Sequence, residues 1–115
     1  MATYPMKKYR LSGKEFEEVL KKGKGFRVDS LVLKLLLKKE GKKFGFLISK
    51  KVLKKAAQRN KLKRRLREIL REKVEGIKEG VRIVFIALPN LERKDFNELK
   101  GIFESLLKKS RVLKK

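Results

Sequence analysis

Residues 58–88 read QRNKLKRRLREILREKVEGIKEGVRIVFIAL, and within them the hydrophobic period changes once. Leu62, Leu66, Ile69, Leu70 and Val74 recur at helical spacing, which lays one apolar stripe along a helix from Gln58 to about Val74. Gly76 and Gly80 bracket the exit. Arg82 to Leu88 is then an apolar run of strand length, stopped by Pro89-Asn90. An amphipathic helix followed at once by the strongest strand in the chain points to a mixed α and β fold.

Working upstream, Leu31 to Lys38 and Phe44 to Ser49 are two further strands around the turn signal Lys39-Glu-Gly-Lys42. They read as an antiparallel hairpin. Leu31, Leu33, Leu35 and Leu37 make one face that should bury, while Lys34 and Lys38 keep the other partly wet. Phe26 to Asp29 is a candidate short strand. Before it, Ser12 and Glu15 have capping-box spacing ahead of Phe16, Val19 and Leu20. Lys21 and Lys22 suit the negative end of that helix, and Gly23 and Gly25 stop it. Residues 1–11 read as an arm. Downstream, Asp95 and Glu98 repeat the capping-box spacing, and Phe96, Leu99, Phe103 and Leu106 carry a last helix to about Lys109. The tail SRVLKK is expected to fray. The expected order is α-β-β-β-α-β-α, a two-layer α/β (α+β) sandwich with residues 1–115 as one domain.

Composition narrows the chemistry. The 115 residues hold 35 basic and 13 acidic side chains, a net charge of +22, with no cysteine and no histidine. Disulfides and thiolates are excluded, and the usual general base near neutral pH and the commonest metal ligand are missing. Such a charge repels itself until a polyanion neutralises it, which leaves nucleic acid or an anionic membrane as partner. No apolar run is long enough to span a bilayer, and MATYPMKKYR lacks the apolar core of a signal peptide, so a cytoplasmic location is expected. Richness in Lys and Glu with a single Gln fits a heat-adapted source.

The charge is concentrated. Residues 50–67, KKVLKKAAQRNKLKRRLR, contain ten Lys or Arg and no acid. At about 100° per residue, Lys63, Arg67, Asn60, Arg71 and Arg64 follow one another across an arc of about 100°. Glu68 and Glu72 fall outside it, and the apolar stripe borders its other side. A merely solvated face would mix signs, for instance through an i,i+4 pair of Arg64 with Glu68. Arg forks onto phosphate oxygens and Lys adds point charge. Asn60 can cap the helix, accept from a 2′-hydroxyl or a base edge, or offer its carbonyl to hydrated Mg²⁺. The stripe contains no Trp or Phe, which argues for a protein core over a lipid surface. Phe16, Phe26, Phe44 and Phe46 are the aromatics near the first helix and hairpin that could stack single-stranded bases.

The run Ser49-Lys-Lys-Val52, followed by Ala56-Ala-Gln-Arg-Asn-Lys-Leu-Lys-Arg-Arg-Leu-Arg-Glu68, resembles the signature of the bacterial ribonuclease P protein family. The similarity extends to Glu15-Phe-Glu-Glu-Val19 with Gly23, and to the closing strand and helix. The resemblance implies a four-stranded sheet with a left-handed βαβ crossover. It implies a protein that binds one large catalytic RNA, which with Mg²⁺ removes the 5′ leader of precursor tRNA while the protein itself supplies no catalytic residue. It assigns Lys50, Lys51, Arg59, Asn60, Lys61 and Arg64 to the catalytic RNA. Phe16, Lys34, Lys63 and Arg67 fall to the leader, in a cleft between the first helix and the sheet. Asn60 is also the one candidate for a hydrated Mg²⁺. Lys61 stands where the family has a second Arg, and Leu20 and Lys34 stand where it often has aromatics. An RNA-binding module without a part in catalysis, such as a ribosomal protein or RNA chaperone, is the competing expectation, and only the signature separates the two.

Overall fold

The computed structural model describes residues 6–114, the side chain of Met6 excepted. A 3₁₀ turn at Met6–Tyr9 leads into α1 (Gly13–Lys22), then β1 (Lys24–Val28), β2 (Leu31–Leu37), β3 (Lys42–Leu47), α2 (Ala56–Lys73), β4 (Val81–Ala87) and α3 (Phe96–Lys109). Seven elements thus appear in the expected order. Ser12 caps α1 by accepting from the Glu15 N–H at 3.1 Å, and Asp95 and Glu98 close a full capping box on α3. α2 starts two residues before Gln58, with Lys55 at the cap position.

The sheet runs β1-β2-β4-β3. β2 and β3 therefore do not form the expected hairpin. β2 pairs with β1 and with β4, both antiparallel, while the one strand that β3 pairs with is β4, in parallel, its outer edge taking a single bridge from Arg10 to Phe44. The expected opposite directions of β2 and β3 survive, with β4 slotted between them. Burial decides this: Ile83, Val84 and Phe85 are inaccessible on both faces of β4, so that strand needs a neighbour on each side and cover above and below. The four residues 38–41 bridge two strand spacings, about 10 Å, well within their reach. They wrap the entry to β4, where the Lys38 N–H donates to the Gly80 carbonyl at 2.8 Å and the Gly80 N–H to the Gly41 carbonyl at 2.6 Å. The hairpin that does form joins β1 to β2 through Asp29, whose φ is +54°, and Ser30.

α2 and α3 cover one face of the sheet. Leu31, Leu33, Ile83 and Phe85 meet Leu62, Leu66, Ile69, Leu70 and Val74 of the α2 stripe and its exit, together with Leu99, Phe103 and Leu106 of α3. Phe85 stacks between Phe46, at 5.6 Å, and Phe103, at 4.5 Å. α1 covers part of the opposite face, where Val19 and Val84 are buried with Phe16, Leu20, Leu36 and Ile86 around them. Leu37, expected in the core, is 62% exposed. β1 pairing stops at Lys24, opposite Leu35, so beyond it β2 has β4 on one side and no strand on the other. Phe96 is likewise at the surface, in the first turn of α3.

Both chain ends depart from expectation. Residues 1–5 of the arm lie outside the described residues, but Arg10 pairs in parallel with Phe44 and Leu11 is buried. The tail docks instead of fraying. Val112 is fully buried, Leu113 bridges Ile77, and the Lys114 N–H donates to the Gly76 carbonyl at 2.8 Å. An apolar side chain with a socket outweighs the entropy of a short terminal segment. Lys42 is also buried, and its ammonium donates to the carbonyls of Val74 (2.8 Å) and Ile77 (2.7 Å) at the exit of α2. A cation on the last carbonyls of a helix satisfies orphan acceptors and opposes the negative end of its dipole.

Candidate nucleic-acid interface

On α2 the acids turn away from the cations of the first three turns. Glu68 pairs with Arg71 at 3.4 Å and Glu72 with Lys100 of α3 at 3.2 Å. Lys73 pairs with Glu104 of α3. Arg64 therefore does not take Glu68 as partner. Among the described residues, Lys61, Lys63, Arg64 and Arg67 make no ion pair, and Lys61, Arg64 and Arg67 are exposed. Asn60 is exposed as well, and Lys55, not Asn60, occupies the helix cap. Of the arc read from the helical period, Lys63, Arg64 and Arg67 thus make no ion pair among the described residues, beside the exposed Asn60, whereas Arg71 is paired with Glu68. Lys61 falls outside that arc, between Glu68 and Glu72.

Beside this arc opens a cleft of about 710 Å³. Phe16 and Glu17 of α1, with its cap Ser12, form one side, Phe44, Gly45 and Phe46 of the edge strand β3 form the floor, and Lys63 and Arg67 of α2 form the other side. The end of the arm closes it with Lys7, Tyr9 and Arg10. Gly45 is what admits Phe16. A Cβ there would lie 2.8 Å from two carbons of the Phe16 ring and 3.3 Å from Leu11 Cδ1, so only a glycine lets the ring rest on the strand. One residue from Phe16, the Glu15 carboxylate accepts from Arg82 Nε of β4 at 3.2 Å, and Arg82 Nη2 donates to the Glu40 carbonyl at 3.2 Å. Partial burial would raise the Glu15 pKa, but the hydrogen bonds from Arg82 and Ser12 and the Arg82 charge outweigh it and hold the group below its ordinary value. This ion pair sets the N-terminal turn of α1, and Phe16 with it, against the sheet.

Three of the four residues expected at the leader, Phe16, Lys63 and Arg67, meet in this cleft. Lys34 does not join them. Its ammonium donates to the Leu20 carbonyl at 3.1 Å, at the last turn of α1. Of the four aromatics, Phe44 is core, with the Tyr9 ring edge-on to it at 6.1 Å. Phe26 packs against the core under the Lys24 ammonium, and Phe16 and Phe46 are half-buried at the cleft. Lys7, Tyr9 and Arg10 are cleft residues that the reading as a loose arm missed. Apolar Tyr9 and Leu11 flanking Arg10 are the alternation that marks a short extended segment.

Among the residues expected at the catalytic RNA, Lys50 and Lys51 are exposed in the turn after β3. Arg59 is part-buried and engaged elsewhere: Nη1 donates to the carbonyls of Leu53 and Lys54, both at 2.8 Å. As to metal, the described residues contain no cluster of three His, Cys, Asp or Glu side chains. A lone amide at Asn60, set among cations, does not make a protein-only site for a divalent ion.

A family model for ribonuclease P matches residues 6–111. The chain belongs to the ribonuclease P protein family. The fold is shared with a Staphylococcus aureus RNase P protein at 25% identity and a TM-score of 0.82, covering 92% of this chain and 98% of that one. It is shared too with the RNase P protein from Thermotoga maritima at 31% identity and a TM-score of 0.77, covering 87% and 96%. Comparison with curated protein sequences finds no match. Membership of the ribonuclease P family makes the chain a protein subunit of bacterial ribonuclease P, an RNA-binding component of tRNA 5′ processing. No helix among the described residues is long and apolar enough to cross a membrane.

Proposed function

We propose that the two adjoining surfaces divide the work of this subunit, residues 1–115 acting as one RNA-binding unit. The cation wall at Asn60, Lys61 and Arg64, with Lys50 and Lys51, grips the catalytic RNA, one protein to one RNA. The cleft at Phe16, Lys63 and Arg67 receives the 5′ leader of precursor tRNA. The observation that carries this is that an aromatic ring from α1 and two unpaired cations from α2 meet across one strand, beside the exposed Lys61 and Arg64, which make no ion pair among the described residues. A single-stranded leader needs that combination: a face for a base and charges for its phosphates. The arm adds Arg10 and Lys7 to the same cleft. Lys34 sits outside the cleft, and its bond to the Leu20 carbonyl suits it to bracing α1.

Hydrolysis is left to the RNA and its Mg²⁺. The chain has no histidine or cysteine, and its wall repels free cations. An ion held by RNA phosphates is a different matter, because the phosphates neutralise the wall first. Asn60 is the neutral group placed to accept from a water of such an ion. Reconstitution tests the proposal. Added to a bacterial ribonuclease P RNA at low Mg²⁺, the protein should accelerate leader removal. An absence of stimulation at every protein-to-RNA ratio would defeat it.

A further inference from the structure

The turn between β3 and α2, residues 49–55, carries Lys50, Lys51, Lys54 and Lys55, all exposed. Its first half closes on itself, since the N–H groups of Val52 and Leu53 both donate to the Ser49 carbonyl, at 3.0 and 3.1 Å. Leu53 anchors the middle in the core. The second half has no side-chain cap, because Lys55 holds the cap position and has no oxygen to offer. What secures it is Arg59, whose Nη1 uses both hydrogens on the successive carbonyls of Leu53 and Lys54. The helical period agrees. At about 100° per residue Arg59 points between Leu66 and Leu70, within the apolar stripe, about 40° or more from any cation of the wall.

We infer that Arg59 is a positioning residue that latches this turn, and that the latched turn adds Lys54 and Lys55 to the surface that binds the catalytic RNA. This rests on the proposed function above, and it moves Arg59 from the direct contacts to the residues acting through others. The reason for a latch is entropic. Four lysines on a loose seven-residue turn would each have to be ordered when RNA binds, whereas a turn already held offers its charges at fixed positions and avoids most of that cost. Lys54 and Lys55 are exposed immediately before the start of α2, in the same seven-residue turn as Lys50 and Lys51.

The test is a set of four full-length proteins, wild type, Arg59→Gln, Lys54→Gln/Lys55→Gln and the triple variant, bound to a bacterial ribonuclease P RNA across a salt series. Lys54→Gln/Lys55→Gln should lower the slope of log affinity against log salt by about 1.4 to 1.8, two phosphate contacts' worth. Arg59→Gln alone should weaken binding about tenfold, but by less than about threefold once Lys54 and Lys55 are gone, since the latch then holds nothing that touches RNA. Equal losses in both backgrounds would make Arg59 a direct phosphate contact and overturn the latch. An unchanged slope for Lys54→Gln/Lys55→Gln would remove those lysines from the surface, and that arm does not depend on Arg59→Gln folding. Hydrogen exchange on the free protein decides the latch without RNA. The amides of Leu53 and Gln58 should exchange faster in Arg59→Gln while those of Ile69 and Leu70 do not, and unchanged exchange at Leu53 and Gln58 would reject it. Wild type with no salt-dependent affinity for the RNA would sink the proposed function instead, leaving the exchange result to stand by itself.

Discussion

Removing the two cleft cations of α2 should change how the holoenzyme's affinity for leader-bearing substrate responds to salt, and it should leave mature tRNA alone. Lys63 and Arg67 line the cleft together, and neither is neutralised by a described acid. Each contact of a cation with a single-stranded phosphate contributes about 0.7 to the slope of log affinity against log salt. The double variant Lys63→Gln/Arg67→Gln should therefore flatten the slope for precursor tRNA by about 1.4. Over a threefold rise in salt, the wild type should lose about fivefold more precursor affinity than the variant does. The assay is equilibrium binding of precursor and of mature tRNA by the reconstituted holoenzyme at several salt concentrations. Because only the precursor carries a leader, the difference between the two slopes isolates the cleft. Equal flattening for both substrates would place Lys63 and Arg67 on the catalytic RNA or the tRNA body, and the division into wall and cleft would be refuted.

Gly45→Ala should push the Phe16 ring off β3, because the new Cβ would sit 2.8 Å from it. About 1–3 kcal/mol of stability should go, together with preference for precursor over mature tRNA, and thermal melting with competition binding checks both. Lys42→Met should cost about 2–4 kcal/mol in urea unfolding, since two buried carbonyls lose charge-assisted hydrogen bonds, and a loss under about 1 kcal/mol would show those carbonyls satisfied in another way. Acid should destabilise the fold through Glu104 and Glu15. The hydrogen bond and charge of Lys73 hold Glu104 below its ordinary 4.5, and Glu15 is lowered as described. The unfolded chain takes up these protons first, so the contribution is complete above the ordinary value and fades as pH falls through the lowered ones. Glu104→Gln should remove part of the stability that is lost as pH falls below the ordinary 4.5, read in denaturant titrations.

Local patterns are what one dimension transmits well. The Ser12 and Asp95 caps, the α2 stripe and the acid-free arc all depend on residues within two or three turns of each other, so spacing alone reveals them. The direction of Arg59 was equally legible. The period that assembled the wall places Arg59 on the apolar side, but the family signature drew it to the RNA-facing set. The ends were misread because docking of Val112, which accepts from the Lys78 N–H, and pairing of Arg10 with Phe44 both depend on partners 34 residues away.

By itself, the order of residues determined the elements, most of their faces and a helix side on which Lys63, Arg64 and Arg67 make no ion pair among the described residues, because these follow from the fixed geometry of a helix or strand. Only the tertiary structure decided that β4 parts β2 from β3. Strand order is settled by which strand most needs cover on both faces, a competition among all four at once. The cleft is a consequence of that choice. With β3 at the edge, α1 and α2 approach it from opposite faces, Gly45 leaves room for Phe16, and a ring and two cations 47 and 51 residues apart along the chain come to line one space.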